Sequence, residues 1–354
     1  MSAQKVYISH ASALEFWRHH DLSRAGGIKR TRRGSLRGAT SSVSAIRSLV
    51  HNASPTSGKI FGARPDASLT SCLNNLHIEE LPLHVMVDSS NKREKRGSVV
   101  THLYERPLPE GSLCKISDDV YVASPELTLC QMATLLPFVD VLELCLEFCS
   151  GYCLNPETER GFDDRPALTS SSRLATFVHQ FKGWRGARRI KPLLPYVIDD
   201  SASPMESIVL MLLCLPSRLG GRQLPLPEHN VAIPITERAR SHTRRKTLVC
   251  DLYWKEFKLD AECDSTKHHS SKRQLGIDSN RRIILDAMEY KYVGITYWQL
   301  ENESEFEDVV QAIRRAMGLK LRNASDRIRA NRNALREYLV ATQGSRRPLV
   351  LDRG

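Results

Sequence analysis

Alternating hydrophobic and polar positions in the C-terminal half of the chain predict a β-hairpin. The runs 247–254 and 257–265 are rich in apolar residues, and the polar pair Lys255-Glu256 between them is typical of a tight turn. A two-residue turn at this point pairs Trp254 with Phe257. That pairing determines which residues of the two predicted strands lie opposite one another.

The predicted pairing places Asp251 opposite Asp260 and Val249 opposite Glu262, so Asp251 and Glu262 are diagonal neighbours roughly 7–8 Å apart at the backbone. Asp264 projects from the same face. Two carboxylates at this spacing can hold one hard divalent cation. Alternatively, Asp251 and Glu262 face solvent and Asp264 belongs to a turn. Because acidic residues are depleted in strands and repel one another across a hairpin, the pattern favours a ligand role for Asp251 and Glu262.

Helical patterns flank the hairpin on both sides. Ser203 as N-cap, Pro204 at the first helical position and Glu206 at the third predict a helix that continues to about residue 215. The capping pattern fully explains Glu206, which is nevertheless a candidate third carboxylate of the site. Beyond the hairpin the pattern predicts a helix over 271–289, a strand over 291–298 and a helix over 303–317. This order predicts an α/β (mixed) fold, with a mixed sheet flanked by helices.

A smaller α/β module is predicted upstream. Strand patterns cover 83–87, 98–104 and 120–123, and Ser124-Pro125 then starts a helix as N-cap and first helical residue. We therefore expect five segments: a basic, partly flexible N-terminal segment (1–75), the α/β module (76–155), a connector and helix (156–200), the domain that contains the hairpin (201–319), and a basic C-terminal helix and tail (320–354).

The composition favours a cytoplasmic partner of nucleic acid. The formal net charge is +11 and the pI about 9.3, and clustered Lys and Arg favour binding to phosphates. The nine cysteines lack the spacing of a small disulfide-rich domain, which indicates reduced thiols. No apolar run is long enough to span a membrane, and no secretory signal is visible, so we expect no membrane partner.

Residues 201–319, about a third of the chain, resemble the PD-(D/E)XK nuclease superfamily, in particular its uncharacterised branch related to very-short-patch-repair endonucleases. Members carry an acidic residue early on a first helix, an Asp on a strand, Glu-x-Asp-Gly on the next strand, then a His, a basic helix and a further strand. The matching residues here are Glu206, Asp251, Glu262, Asp264, His268 or His269, Arg273, Arg281 and Arg282, and Tyr290 to Thr296.

The resemblance implies a metal-dependent endonuclease that hydrolyses DNA phosphodiester bonds with Mg²⁺ or Mn²⁺. Asp251 and Glu262, with Glu206 as a third carboxylate, would be the metal ligands. Either histidine would act as general base or phosphate contact, although the pair could also be a surface feature. Asp264 occupies the position of the family's usual lysine, and Ser265 that of its usual glycine. The arginines predicted to contact DNA are Arg273, Arg281, Arg282, Arg327, Arg329 and Arg332; the alternative is that they form solvated helix faces.

Residues 83–153 are similar to the core of AbiEi-type antitoxins, which accompany toxins in abortive phage infection. That family binds DNA through an N-terminal winged helix, and residues 1–75 carry no convincing pattern for one. Two functions are therefore expected as alternatives. One is a DNA endonuclease in DNA repair or phage defence. The other is a non-catalytic DNA-binding regulator with an inactive nuclease fold and a toxin or other protein as partner.

Overall fold

The computed structural model describes residues 5–20, 28–31, 41–44, 76–78, 82–94, 99–264, 272–320 and 324–342, with only the backbone for 272–278. The chain divides into two compact units. Of the described residues, those up to Phe148 and those within Pro166–Leu194 form the N-terminal unit, and those within Cys149–Arg165 and from Pro195 onwards form the C-terminal unit.

The N-terminal unit contains a six-stranded mixed sheet with helices. Its strands are β1 (Val6–Ile8), β2 (Lys29–Arg30), β3 (Leu83–Val87), β4 (Val99–Leu103), β5 (Leu113–Lys115) and β6 (Val120–Ala123). Its helices are α1 (His10–His19), α2 (Pro125–Met132), α3 (Phe138–Phe148), α4 (Ser171–Gln180) and α5 (Arg185–Ile190). The strand order is β2-β5-β6-β1-β3-β4, in which β1–β6 and β3–β4 are parallel and the other neighbours are antiparallel.

Two segments of this unit differ from the predicted division of the chain. Residues 5–20, expected within a separate basic segment, supply β1 in the interior of the sheet, where Val6 and Ile8 are fully buried. Residues 171–190, expected to contain a helix within the separate segment 156–200, form the two helices α4 and α5 of the same unit. The helix predicted after Ser124 is confirmed, since the Ser124 hydroxyl accepts a hydrogen bond from the Leu127 N–H (3.3 Å).

The C-terminal unit contains a four-stranded mixed sheet, a separate two-stranded sheet and five helices among its described residues. The strands are β7 (Tyr152–Leu154), β8 (Phe162–Asp164), β9 (Glu228–Pro234), β10 (Thr247–Trp254), β11 (Leu259–Asp264) and β12 (Lys291–Thr296). The helices are α6 (Pro204–Cys214), α7 (Lys272–Ala287), α8 (Tyr297–Glu301), α9 (Glu303–Ala316) and α10 (Asp326–Thr342). In the order β12-β11-β10-β9, β11 and β12 are parallel and the other pairs antiparallel.

The fold class predicted from the sequence is confirmed: the C-terminal unit is an α/β arrangement of helices around a mixed sheet. The helix predicted from Ser203 begins there, with the Ser203 hydroxyl accepting from the Glu206 N–H (3.4 Å). Every residue of this helix, α6, is buried. Across the described residues, no helix is long and apolar enough to cross a membrane.

The predicted register of the hairpin was wrong by two residues. Trp254 pairs with Leu259 rather than with Phe257, because the connection is four residues long. Residues 255–257 form a 3₁₀ turn, and Lys258 follows in the left-handed region (φ 46°, ψ 48°), donating its N–H to the Lys255 carbonyl (3.2 Å). A non-glycine residue in that conformation is uncommon, and the pattern of apolar residues does not predict one at Lys258.

Candidate functional site

The observed register brings Asp251 and Glu262 level with each other instead of diagonal. The ladder runs through Trp254–Leu259, Tyr253–Asp260 and Leu252–Ala261, and one further step sets Asp251 beside Glu262. Glu262 Oε1 accepts from the Asp251 N–H (3.3 Å), and Asp251 Oδ2 accepts from the Cys263 N–H (2.9 Å). Both side chains are therefore held close to the backbone of adjacent strands.

Arg281 of α7 adds a guanidinium to these carboxylates. Ile284 and Leu285 of the same helix are buried in the core with Tyr253, and Arg281 lies one turn earlier on that face. Its Nη2 donates to Asp260 Oδ2 (2.9 Å) and to Glu262 Oε1. Asp260 is fully buried. The structure thus uses Arg281, predicted as a DNA contact, to pair with two carboxylates inside the protein.

Glu206 is held next to this group by neutral hydrogen-bond donors. Its carboxylate accepts from the Ala202 N–H (2.9 Å), the Ser203 hydroxyl (2.8 Å) and Asn230 Nδ2 (2.8 Å). The register of β9 and β10 sets Asn230 level with Asp251, and Asn230 adopts a positive φ of 49°. Glu206 therefore serves the helix cap, as the sequence allowed, and also lies near enough for the charge of Asp251 to act on it.

Burial raises the pKa of every carboxyl group in this set. Loss of solvation, followed by the charges of Asp260 and Asp251, raises the pKa of Glu262 to about 9. Burial and the charge of Asp251 raise the pKa of Glu206 to about 7. Burial raises the pKa of Asp260 to about 6 although Arg281 opposes the shift, and burial also raises the pKa of Asp251. One guanidinium therefore does not balance the four acids, which we call the acid cluster: Glu206, Asp251, Asp260 and Glu262.

The other predicted site residues are not all brought to this point. Asp264 is half-buried at the end of β11, level with Thr296 of β12. His268, His269 and the Arg273 side chain lie outside the described residues, so the predictions for them stand untested. Arg282 is exposed, with its guanidinium over the ring of Tyr292 (5.1 Å from the centroid).

The basic helix α10 contributes fewer free cations than its sequence implied. Arg327 is exposed, whereas Arg329 is exposed but pairs with Asp326. The Arg332 side chain is only 13% exposed and lies 3.9 Å from a Glu307 oxygen. Arg332 is thus turned inward, and Arg327 is the better candidate for a phosphate contact.

Asp260 is the residue whose role the sequence did not reveal. It appeared in the predicted hairpin only as the partner of Asp251, with no function. Its signal was present in the alternation of β11, since Asp260, Glu262 and Asp264 occupy every second position. What could not be read from the strand was its counter-ion, which comes from α7.

Within the described residues, no group of three or more His, Cys, Asp and Glu side chains is arranged to hold a metal ion. The contacts explain this result, because Glu206 is surrounded by neutral donors while Glu262 and Asp260 face Arg281. No family model, curated protein or solved structure matches the chain. The interpretation therefore rests on the residues themselves.

Proposed function

We propose that this protein is a metal-dependent nuclease-like enzyme that hydrolyses phosphodiester bonds of DNA. The observation that carries the proposal is the acid cluster. Two buried carboxyl groups (Glu206 and Asp260) and two half-buried ones (Asp251 and Glu262) lie together on one helix and two adjacent strands, and their pKa values are raised. The guanidinium beside them, that of Arg281, pairs with only two of the four. The cluster therefore favours the approach of a further positive charge. Carboxyl groups with raised pKa values also concentrate at functional sites.

The order of the elements also supports the proposal. Glu206 lies on α6, Asp251 on β10, Glu262 on β11 and Arg281 on α7, and β12 follows. This is the sequence of acidic helix, two acidic strands, basic helix and further strand that the PD-(D/E)XK resemblance implies. The net charge of +11 is consistent with a polyanionic substrate.

In this proposal Asp251 and Glu262 hold Mg²⁺ or Mn²⁺, with Glu206 as the third carboxylate. The buried acceptor Asp260 Oδ1 has no hydrogen-bond partner among the described residues, so a carboxylate oxygen beside Glu262 is left for a further positive group. A divalent ion bound there would supply activation of water and neutralisation of charge on the phosphate. In this proposal the exposed Arg282 would contact a backbone phosphate, and Asp264, His268 and His269 are the candidates for accepting the proton of the attacking water.

A second candidate function is a non-catalytic DNA-binding regulator of the AbiEi-antitoxin type, acting with a toxin or other protein partner. One specific observation favours it. Arg281 already pairs with Glu262 and Asp260, and the described residues offer no preformed metal site. In this alternative the acid cluster and Arg281 would be a purely structural network.

Metal-dependent thermal stability distinguishes the two functions. The wild-type protein is expected to melt at a higher temperature in Mn²⁺ or Mg²⁺, since a ligand at a hundredfold excess over its Kd stabilises by about 2.7 kcal/mol. Asp251→Asn should lose this gain together with plasmid cleavage. The control Asp286→Asn, an exposed acid on α7, should keep both. Identical melting of all three proteins with and without metal would contradict the enzymatic proposal.

The regulator is tested by DNA binding without metal. If the protein is a regulator of this kind, Arg327→Ala should weaken binding to duplex DNA. The slope of log K against log salt concentration should decrease in magnitude by about one, because one phosphate contact is lost. Cleavage should be absent in every variant. If Arg327→Ala binds as tightly as the wild type at low salt, the basic helix α10 is not the DNA contact.

A further inference from the structure

The guanidinium of Arg281 contacts two of the four carboxyl groups of the acid cluster, Asp260 and Glu262. Its Nη2 lies against three acceptors: Asp260 Oδ2, Glu262 Oε1 and the backbone carbonyl of Val249. Nη2 carries two hydrogens, so these three acceptors cannot all receive a full hydrogen bond at once. The side chain is 16% exposed, which leaves it little water to complete its own contacts.

The pairing is incomplete on both sides. Asp260 is fully buried, and its Oδ1 accepts no hydrogen bond from the described part of the chain. Arg281 Nε is also buried without an acceptor there. A structural ion pair normally satisfies its buried lone pairs and hydrogens, because each unmatched group costs free energy. Arg281 thus neutralises part of the cluster without matching it.

The remaining acids make the imbalance larger. Asp251 and Glu206 belong to the same cluster, but neither has a recorded hydrogen bond to Arg281. The one carboxylate that is both bound by Arg281 and level with Asp251 is Glu262. Glu262 is therefore shared between the resident guanidinium and any metal ion that Asp251 would hold.

We propose that Arg281 is a built-in competitor of the metal ion, and that Glu262 exchanges the guanidinium for the ion when the site is loaded. This inference rests on the proposed function, because it requires Asp251 and Glu262 to be metal ligands. Asp260 retains Arg281 through Oδ2 after Glu262 has been released, so the guanidinium stays at the edge of the site. The affinity of the site for the metal ion then depends on how strongly Arg281 holds Glu262.

Isothermal titration of Mn²⁺ into the full-length protein tests the competition. Arg281→Gln removes the competing charge, and the Kd for Mn²⁺ should decrease at least about tenfold relative to the wild type, which corresponds to about 1.4 kcal/mol. The control Arg315→Gln removes an exposed positive charge from α9, where Arg315 Nη2 donates to Gln311 Oε1 (3.2 Å). Its Kd should equal that of the wild type, which separates local competition from a change in net charge.

Each result decides between the possibilities. Tighter Mn²⁺ binding by Arg281→Gln supports the competition, including the case in which only the variant binds. Equal or weaker binding overturns it while leaving the metal site intact, and a simultaneous loss of DNA affinity would make Arg281 a phosphate contact. No binding by either protein overturns the proposed function as well. If circular dichroism shows that Arg281→Gln is unfolded, Arg281→Lys replaces it, with an expected decrease in Kd of about threefold because a single ammonium pairs with fewer acceptors.

Discussion

Each unit sets a glutamate against an arginine, yet the pKa values of the two glutamates shift in opposite directions. In the N-terminal unit, Glu126 is bound by Arg30 through two contacts (2.6 and 2.9 Å) and accepts from the Thr169 hydroxyl (2.6 Å). Burial alone would raise its pKa, but these partners hold the pKa below its usual value. In the C-terminal unit, Glu262 also has an arginine, and its pKa is raised to about 9.

The difference lies in the number of negative charges that each arginine serves. Arg30 faces one carboxylate, and Arg173 Nε also lies 3.6 Å from Glu126 Oε1, so the negative charge of Glu126 is fully balanced by positive charge. Arg281 faces two carboxylates, with Asp251 and Glu206 close by. A balanced pair is explained as part of the scaffold, whereas the unbalanced cluster requires another cation or a proton. This difference is the reason why the proposed function is attached to the acid cluster and not to the Glu126 pair.

Breaking the balanced pair should produce the largest loss of stability. Arg30→Ala leaves Glu126 buried without its bidentate partner, and we expect the free energy of unfolding to decrease by about 3 kcal/mol in urea titrations at neutral pH. Because the folded-state pKa of Glu126 lies below the ordinary 4.5, the pair contributes stability above pH 4.5 and loses it as the pH falls. The deficit of the variant should therefore shrink in acid.

The control for this prediction is Lys115→Ala, which breaks an exposed pair with Asp118 in the same unit. It should leave the urea midpoint unchanged. If Arg30→Ala were as stable as this control at neutral pH, the Glu126 pair would not be part of the scaffold and the comparison would fail.

Neutralising the unbalanced cluster should have the opposite sign and a smaller size. Glu262→Gln is expected to stabilise the metal-free protein by about 1 kcal/mol at neutral pH, because the folded state disfavours the ionised carboxylate. A folded-state pKa of about 9 against an ordinary 4.5 means that the stability from this group is complete below pH 4.5 and is lost as the pH rises towards 9. The variant should lack that loss.

Hydrogen exchange of peptides from the C-terminal unit, measured without metal across this pH range, checks the prediction. Glu256→Gln in the exposed turn of the same hairpin is the control and should follow the wild type. A metal-free wild-type protein that gained stability from pH 5 to 9 would contradict the assignment of the cluster as short of positive charge.

The sequence predicted the carboxylates better than it predicted their geometry. Strand periodicity identified β10 and β11, and the capping residues identified the start of α6 at Ser203. Register depended on the left-handed Lys258, which alternation of apolar residues does not encode. The pairing of Asp251 with Glu262 was therefore expected at a diagonal and is observed side by side.

Long-range partners were the least predictable part of the site. Arg281 was expected to face DNA, since a basic helix with a solvated face has the same sequence pattern as one that neutralises a buried acid. Its pairing with Asp260 joins residues 21 positions apart. Likewise, the placement of β1 in the interior of the N-terminal sheet depends on pairing with β3 and β6, far along the chain. Local patterns carry no information on such contacts.

A third buried group extends the comparison to positive charge. His10, His84 and His102 of the N-terminal unit lie together: His84 Nδ1 is 2.8 Å from His102 Nε2, and the His10 ring stacks on His102 (centroids 3.4 Å apart). His10 adopts a positive φ of 51°, and its N–H donates to Gln131 Oε1 (2.9 Å). The positive charge of Arg93 acts on His102 and disfavours its protonation, because a protonated imidazole is also positively charged.

This histidine group should give the N-terminal unit a pH dependence opposite to that of the acid cluster. Burial lowers the pKa of His84 to about 4 and also lowers the pKa of His10. Burial, followed by the positive charges of His84 and Arg93, lowers the pKa of His102 to about 3. The folded state binds fewer protons than the unfolded state, so the stability from these histidines is complete above pH 6.5 and decreases as the pH falls towards 3.

His102→Gln should remove about one of the three protons taken up on acid unfolding, which reduces the slope of the free energy of unfolding against pH by up to about 1.4 kcal/mol per pH unit. Hydrogen exchange of residues 83–103 between pH 7 and 4 measures that slope, with the exposed His179→Gln as control. A slope unchanged by His102→Gln would mean that His102 is already protonated in the folded protein. The pH dependence of the N-terminal unit would then not arise from burial of neutral histidines, and its contrast with the acid cluster would fail.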